Sequence, residues 1–381
     1  MNPDATAQFP LRPGVVMLNH ASFGLATTAL LERAAAIRRE LESEPVEMLT
    51  TGLDAALPTA LAATARWLGL EAARSALTPN ATSGAAAVTQ SLPLGRGDHV
   101  VILRAEYPSV LRGWQRRCDE TGATLHVVDV PVPVETVADV LAQLDAVPAD
   151  RVAVLQVSGI ASSTAVRLPI AELAAWGRGR GARVVVDGAH MPGHVPLDEW
   201  GLADAAFATL HKWLPVPRSV GILHGGADAA PLLRPAEVSL TWDEDDLAER
   251  FAWPGTYDPA PRLCLPDAIA VWRAWEDAGA HARAARLADD AHAALTAAGA
   301  RAAAGPALRA PRLRSFVVDV PETTLRAALA DAEVVAPAIP LTDATAMVRV
   351  ATHVYTDADD LERVAAVVRR LQRSGRRRAA T

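Results

Sequence analysis

Arg183-Val184-Val185-Val186-Asp187-Gly188-Ala189-His190 and, further on, Ala205-Ala206-Phe207-Ala208-Thr209-Leu210-His211-Lys212-Trp213 decide how this chain folds. Each stretch begins as a short apolar run and ends in residues that carry chemistry: a carboxylate and a histidine in the first, a histidine and a lysine in the second. Short apolar runs without alternation fit strands buried on both faces. Similar runs stand at 75–78, 99–103, 124–130, 151–157 and 220–224, and helix-length segments at 82–92, 110–121, 134–144 and 170–180 lie between most of them. Strands alternating with helices predict a seven-stranded, mostly parallel sheet with helices on both faces. Ligands collect at the carboxyl ends of the strands in such sheets, and Asp187 and Lys212 fall there.

Working outward, 29–49 and 57–68 carry helical spacing, and Val15-Val16-Met17-Leu18-Asn19-His20 is a short apolar stretch of strand character. After Pro254-Gly255 the pattern changes to alanine-rich helices at 265–278 and 281–298, strand-like runs at 315–320 and 347–351, and a helix at 357–373. The expected organisation is an N-terminal segment, 1–20, a large α/β domain, 21–254, and a smaller α+β domain, 255–381. At 381 residues, half of them hydrophobic, the chain is long enough for that division.

The formal net charge of -7 argues against a nucleic-acid or anionic-membrane surface, and the Arg376-Arg377-Arg378 run is expected to be a solvated tail. No run approaches the roughly 18 apolar residues of a membrane span, and the N-terminus lacks a basic and apolar leader pattern. Two cysteines, Cys118 and Cys264, are too few for a disulfide framework and lack metal-site spacing. The expectation is a cytoplasmic protein without a metal, acting on a small molecule.

Of the 37 Lys plus Arg residues, one alone is lysine, Lys212. A guanidinium cannot be deprotonated near neutral pH and forms no imine, so a composition this biased toward arginine keeps lysine where a primary amine is required. Asp187, 25 positions earlier, is the kind of carboxylate that pairs with the protonated nitrogen of a pyridine cofactor. Asp is also an ordinary cap for a turn, and a lysine can survive on a surface by chance. Thr78-Pro79-Asn80-Ala81-Thr82-Ser83-Gly84-Ala85 opens a helix with hydroxyls and free N–H groups, a setting for a phosphate as well as for plain N-capping. Glycine-rich dinucleotide and Walker patterns are absent, which favours a single phosphomonoester. Tyr107 could stack on a pyridine ring or serve packing.

From Leu18 to His353 the chain resembles the class V aminotransferases of pyridoxal 5'-phosphate (PLP) fold type I, and within them the isopenicillin N epimerase-like group. The resemblance is carried by Leu18-Asn19-His20-Ala21-Ser22-Phe23-Gly24, Asn80-Ala81-Thr82, Asp187-Gly188-Ala189-His190, Pro192-Gly193-His194, His211-Lys212-Trp213-Leu214 and Trp253-Pro254-Gly255-Thr256-Tyr257-Asp258. It implies that Lys212 forms the internal aldimine, that Asp187 pairs with the ring nitrogen, that His190 bonds the phenolic oxygen and that Tyr107 stacks on the ring. It implies a phosphate site of Thr82, Ser83, Thr209 and His211, with Ala81 alongside, and Thr256 reaching the phosphate of a neighbouring subunit in a homodimer. Arg349 matches an arginine that holds a substrate carboxylate, with Asn19 and His20 facing the rest of the substrate.

Two stretches depart from the group. A frequent Ser-His pair is here Ser158-Gly159, followed by Ile160-Ala161-Ser162-Ser163, and a usual glycine is here Ser219, after Arg218. The fold hosts epimerisation, β-elimination at a C–S bond, transamination and decarboxylating deamination, and does not choose among them. Persulfide transfer needs a mobile thiol, and neither cysteine is placed as one. A catalytically retired binding protein is the alternative from another class, and the sole lysine argues against it.

Overall fold

The computed structural model describes residues 3–379, and side chains from 5 to 373; Met1 and Asn2 and the side chains of Arg376, Arg377 and Arg378 lie outside that description. The strands in chain order are β1 (Val16–Met17), β2 (Ser75–Thr78), β3 (His99–Leu103), β4 (Thr124–Val128), β5 (Val154–Ser158), β6 (Arg183–Asp187), β7 (Ala205–Thr209), β8 (Gly221–Gly225), β9 (Arg301–Ala302), β10 (Leu313–Val318), β11 (Val334–Val335), β12 (Ala338–Pro340) and β13 (Ala346–Ala351).

Seven strands form the large sheet in the order β2-β8-β7-β6-β5-β3-β4. The pairs among β3 to β7 are parallel, and β8 runs antiparallel to both β2 and β7. Every residue of β5, β7 and β8 is buried, as expected of strands covered on both faces. One covering layer packs helices Ala81–Ser91 and Pro108–Thr121 through Val88, Val110 and Trp114; the other uses Leu53–Leu68 and Ile170–Arg178. The second core also takes in Ala260, Cys264, Leu265, Ala268 and Ile269, so its packing runs past residue 254, where the composition changes.

A four-stranded antiparallel sheet, β12-β13-β10-β9, lies in the C-terminal part and packs on helix Ala280–Ala297 through Leu287 and Leu295. The runs expected at 315–320 and 347–351 are β10 and β13. The strands β9, β11 and β12 escape a sequence pattern because they are two or three residues long. The 29–49 helix stops at Ser43, before Pro45, which has no N–H to continue the ladder. The helix expected from 134 starts at Val137, because Thr136 and Asp139 close a capping box there.

The N-terminal segment joins both sheets' neighbourhoods. β1 pairs parallel with β11, and Asn19 bridges Ala351 at the end of β13. Gly24, at φ 64°, lies so close to the Lys212 loop that a Cβ there would meet the His211 carbonyl oxygen at 1.7 Å. Only glycine permits both that backbone angle and that approach. Arg218 reinforces the contact through hydrogen bonds to the carbonyls of Phe23, at 3.1 Å, and Gly24, at 2.8 Å.

Candidate functional site

The carboxyl ends of β5, β6 and β7 bring together Ser158, Asp187 and the turn that bears Lys212. Lys212 Nζ lies 3.3 Å from His190 Nε2. Burial lowers the Lys212 ammonium to about 8, with Arg349 lowering it further and Asp187 opposing. The same burial keeps His190 neutral, its pKa lowered, and its Nδ1 is buried with no hydrogen-bond partner in the protein. Asp187 is buried, and its Oδ1 accepts the Ala189 N–H at 2.7 Å. Desolvation raises its pKa to about 6, against the effects of that N–H, Lys212 and Glu106.

Thr209 Oγ1 accepts the Ala81 N–H at 3.0 Å, tying the end of β7 to the start of helix Ala81–Ser91. Asn80 caps the helix at the Ser83 N–H, also at 3.0 Å, and Thr82 stands exposed in the first turn. His211 Nδ1 lies 3.2 Å from the Val220 N, and burial lowers the ring to about 4. Tyr107 is 47% exposed just before helix Pro108–Thr121, free to present its ring. Thr256 is exposed on the 253–258 loop.

Arg349 is buried in β13, unlike an ordinary strand arginine on a surface. Its guanidinium donates to the Ser162 carbonyl, to Ser22 Oγ at 2.8 Å and to Asn19 Oδ1 at 3.4 Å, while its Nε is buried without a partner. His20 is placed apart from that group. Its Nδ1 is 3.0 Å from the Tyr355 hydroxyl and its ring stacks on His353 at 3.6 Å between centroids, behind Trp213.

The two departures have local explanations. A Cβ at Gly159 would lie 2.1 Å from Met191 Sδ, so the Met191 side chain fills the room a larger residue would take, and Trp200 Nε1 donates to that sulfur at 3.3 Å. Ala161 is buried and closes a tight turn through its N–H to Val166 O at 2.9 Å. Ser219 donates to the Pro79 carbonyl, joining the lysine loop to the chain before Ala81.

Glu106 and Gln156 also reach the site, and nothing in the sequence singles them out beyond an acid standing directly before Tyr107. Glu106 is 5% exposed, and burial together with the charge of Asp187 raises its pKa to about 8.

An amine with a lowered pKa, a buried carboxylate, an unpartnered histidine nitrogen and a helix start ringed by hydroxyls fit PLP. Residues 43–364 match the family model "Aminotransferase class-V". The chain belongs to the class V aminotransferase family. It is an enzyme of that PLP-dependent family, with the fold type I architecture expected from its sequence. The chain is similar to isopenicillin N epimerase from Streptomyces clavuligerus, 30% identical over 70% of this chain and 71% of that one. It is also similar to putative L-cysteine desulfhydrase 1 from Oryza sativa subsp. japonica, 31% identical over 67% of this chain and 57% of the relative. Among solved structures, a C-DES mutant with glycine covalently linked to the PLP cofactor superposes with a TM-score of 0.80 at 22% identity, covering 96% of this chain and 98% of that one.

Proposed function

We propose that this class V enzyme takes a small amino acid or cysteine conjugate, anchors its carboxylate on Arg349 and removes the Cα proton with Lys212. The observation that carries the reading is the placement of one buried amine, the only lysine of the chain, within reach of His190 and in the fields of Asp187 and Arg349. PLP supplies an electron sink for the pair of electrons left at Cα. Lys212 holds the cofactor and, near neutral pH, carries or releases a proton at Nζ. Asp187 faces the ring nitrogen, His190 Nδ1 offers its unused position to the phenolic oxygen, and Tyr107 covers a ring face. Ala81, Thr82, Ser83, Thr209 and His211 surround the phosphate. Arg349, steadied by Ser22 and Asn19, selects which Cα bond stands perpendicular to the ring. His20 shapes this site from behind, by supporting Trp213.

Loss of the Cα proton is common to epimerisation and to β-elimination of a thiol. Persulfide transfer is disfavoured by the two cysteines, both buried, each thiol raised to about 11 chiefly by burial. We read the protein as cytoplasmic: both cysteines are unpaired, and no helix among the described residues is long and apolar enough to cross a membrane. The division into 1–20, 21–254 and 255–381 and a homodimer belong to the same reading. Exposed Phe23, Tyr107, Val238 and Leu240 offer apolar surface for a second copy, with Thr256 reaching across to its phosphate.

The test is incubation of the PLP-loaded enzyme in deuterated water with a panel of amino acids and cysteine S-conjugates, followed by mass spectrometry and chiral analysis. Deuterium at Cα with inversion assigns epimerisation. Pyruvate with a released thiol assigns β-elimination. Products that keep the Cα hydrogen would overturn the shared step.

A further inference from the structure

Asp187, at the end of β6, has a second acid near it, Glu106, three residues past the end of β3. Ser158, the register partner of Asp187 on β5, donates its hydroxyl to Glu106 Oε1, and Gln156 on the same face of β5 donates from Nε2 to Glu106 Oε2 at 3.1 Å. The Tyr107 backbone N–H reaches Oε1 at 2.8 Å, and the Gln156 amide is itself fixed by Trp114 Nε1 at 3.1 Å. Ser158 thereby sets the buried Glu106 carboxyl beside the buried Asp187, near enough for each acid to shift the other. The charged group that faces Glu106 is Asp187, with Lys212 beyond it.

Two carboxyl groups buried side by side, with no cation between them, cannot both ionise near neutral pH, so one keeps a proton. Asp187 is the acid that faces the cofactor's ring nitrogen in the proposed site, and that positive charge favours its ionised form; Glu106, raised by burial and by the Asp187 charge, is left with the proton. A neutral Glu106 has an O–H to give, and Asp187 is the acceptor without a proton of its own. Its Oδ1 already takes the Ala189 N–H. A carboxylate that receives a second hydrogen bond is a weaker base than one that receives a single bond.

We propose that Glu106 is a positioning residue: as a neutral acid it donates a hydrogen bond to Asp187, and this keeps the proton shared by Asp187 and the cofactor's ring nitrogen on the nitrogen. The inference rests on Asp187 facing that nitrogen. No proton is gained or lost in the arrangement; the hydrogen bond decides which of two atoms carries it. Without the bond Asp187 becomes the stronger base, the proton moves to its carboxyl and the ring loses its positive charge.

The test uses holoenzyme loaded with PLP labelled with 15N in the ring, because the 15N chemical shift reads ring protonation without any turnover. Glu106→Leu removes the donor. At pH 7.5 its signal should move about halfway or more toward the unprotonated position, with roughly tenfold weaker PLP binding, the equivalent of about one pKa unit. Glu106→Gln keeps an uncharged donor toward Asp187 and an acceptor for Ser158 and Tyr107, giving up the Gln156 bond. Its signal should match the wild type at pH 7.5 and lack the change the wild type shows as Glu106 ionises near pH 8. A wild-type shift in bound Glu106→Leu would overturn the proposal, and so would identical pH responses of wild type and Glu106→Gln should the leucine variant not fold. Asp187→Ala in the same series separates the two readings: an unchanged ring signal there overturns the assignment of Asp187 itself.

Discussion

Two polar clusters lie on either side of Trp213, and they are built from overlapping residue types for opposite ends. In front stand Lys212, His190, Asp187, Glu106 and Arg349. Behind stand His20, His194, His281, His353 and Arg312, with the His194 ring tilted against Trp213 at 4.0 Å between centroids and Arg312 over the Trp213 ring at 4.9 Å. In front, burial pushes the Lys212 amine down to about 8 and pushes the neighbouring acids Asp187 and Glu106 up, bringing base and acids toward the same pH range. Behind, burial lowers every histidine, His20 to about 3 and His281 to about 4, and none exchanges a proton near neutral pH. Desolvation is the same force in both places. What differs is that the front mixes acids with a base, whereas the rear holds neutral rings around one arginine. Titratable groups of opposite type, buried together, make a site that works at neutral pH.

The sharpest way to break the comparison is to remove the base. Lys212→Ala should abolish covalent attachment of PLP, read by borohydride reduction and peptide mapping, and should cost at least about a thousandfold in activity. A reducible linkage surviving elsewhere in that variant would show that the front cluster has been misread. Arg349→Ala should raise KM for an amino-acid substrate roughly ten- to hundredfold, the loss of a charged hydrogen-bonded pair, and change little for the decarboxylated amine. Arg349→Lys keeps the charge without the planar fork and should fall between. Equal losses for acid and amine would make Arg349 structural.

The pH dependence sharpens the contrast. Only the neutral amine of Lys212 attacks a carbonyl, and its value near 8 means that the neutral fraction falls tenfold for each unit below that point. Recombination of the unliganded protein with PLP should therefore slow from about pH 8 downward and level off above it, as followed by stopped-flow absorbance. The smallest effect belongs to the rear. His353, with both ring nitrogens buried and unpartnered, serves by stacking, so His353→Phe should change unfolding free energy by less than about 1.5 kcal/mol and leave that recombination profile in place. A displaced profile would mean that the two clusters are coupled through Trp213.

Legibility followed chain proximity. Asp187-Gly188-Ala189-His190 and His211-Lys212-Trp213 could be read because strand end and reactive residue are adjacent in sequence, and the lysine count alone marked Lys212. Glu106 was not legible. It matters through Ser158 and Gln156 on a strand some 50 residues away, and a lone acid after a strand has no pattern to distinguish it. His20 shows the converse case. Its neighbours Asn19 and Ser22 meet Arg349, yet the His20 side chain turns the other way, because Tyr355 and His353 receive it.

The sequence by itself determined the family, the order of the large sheet's seven strands along the chain, and the single lysine that we propose carries the chemistry. These follow from local periodicity and from a residue type that has no substitute: only lysine offers a primary amine on its side chain. Tertiary structure decided the rest. It buried Arg349 beside Ser22 and Asn19, set Glu106 against Asp187 and filled the place of a missing side chain at Gly159 with Met191. Each of these depends on desolvation and on distances between residues far apart in the chain, and such quantities come into existence only when the sheet closes over its helices.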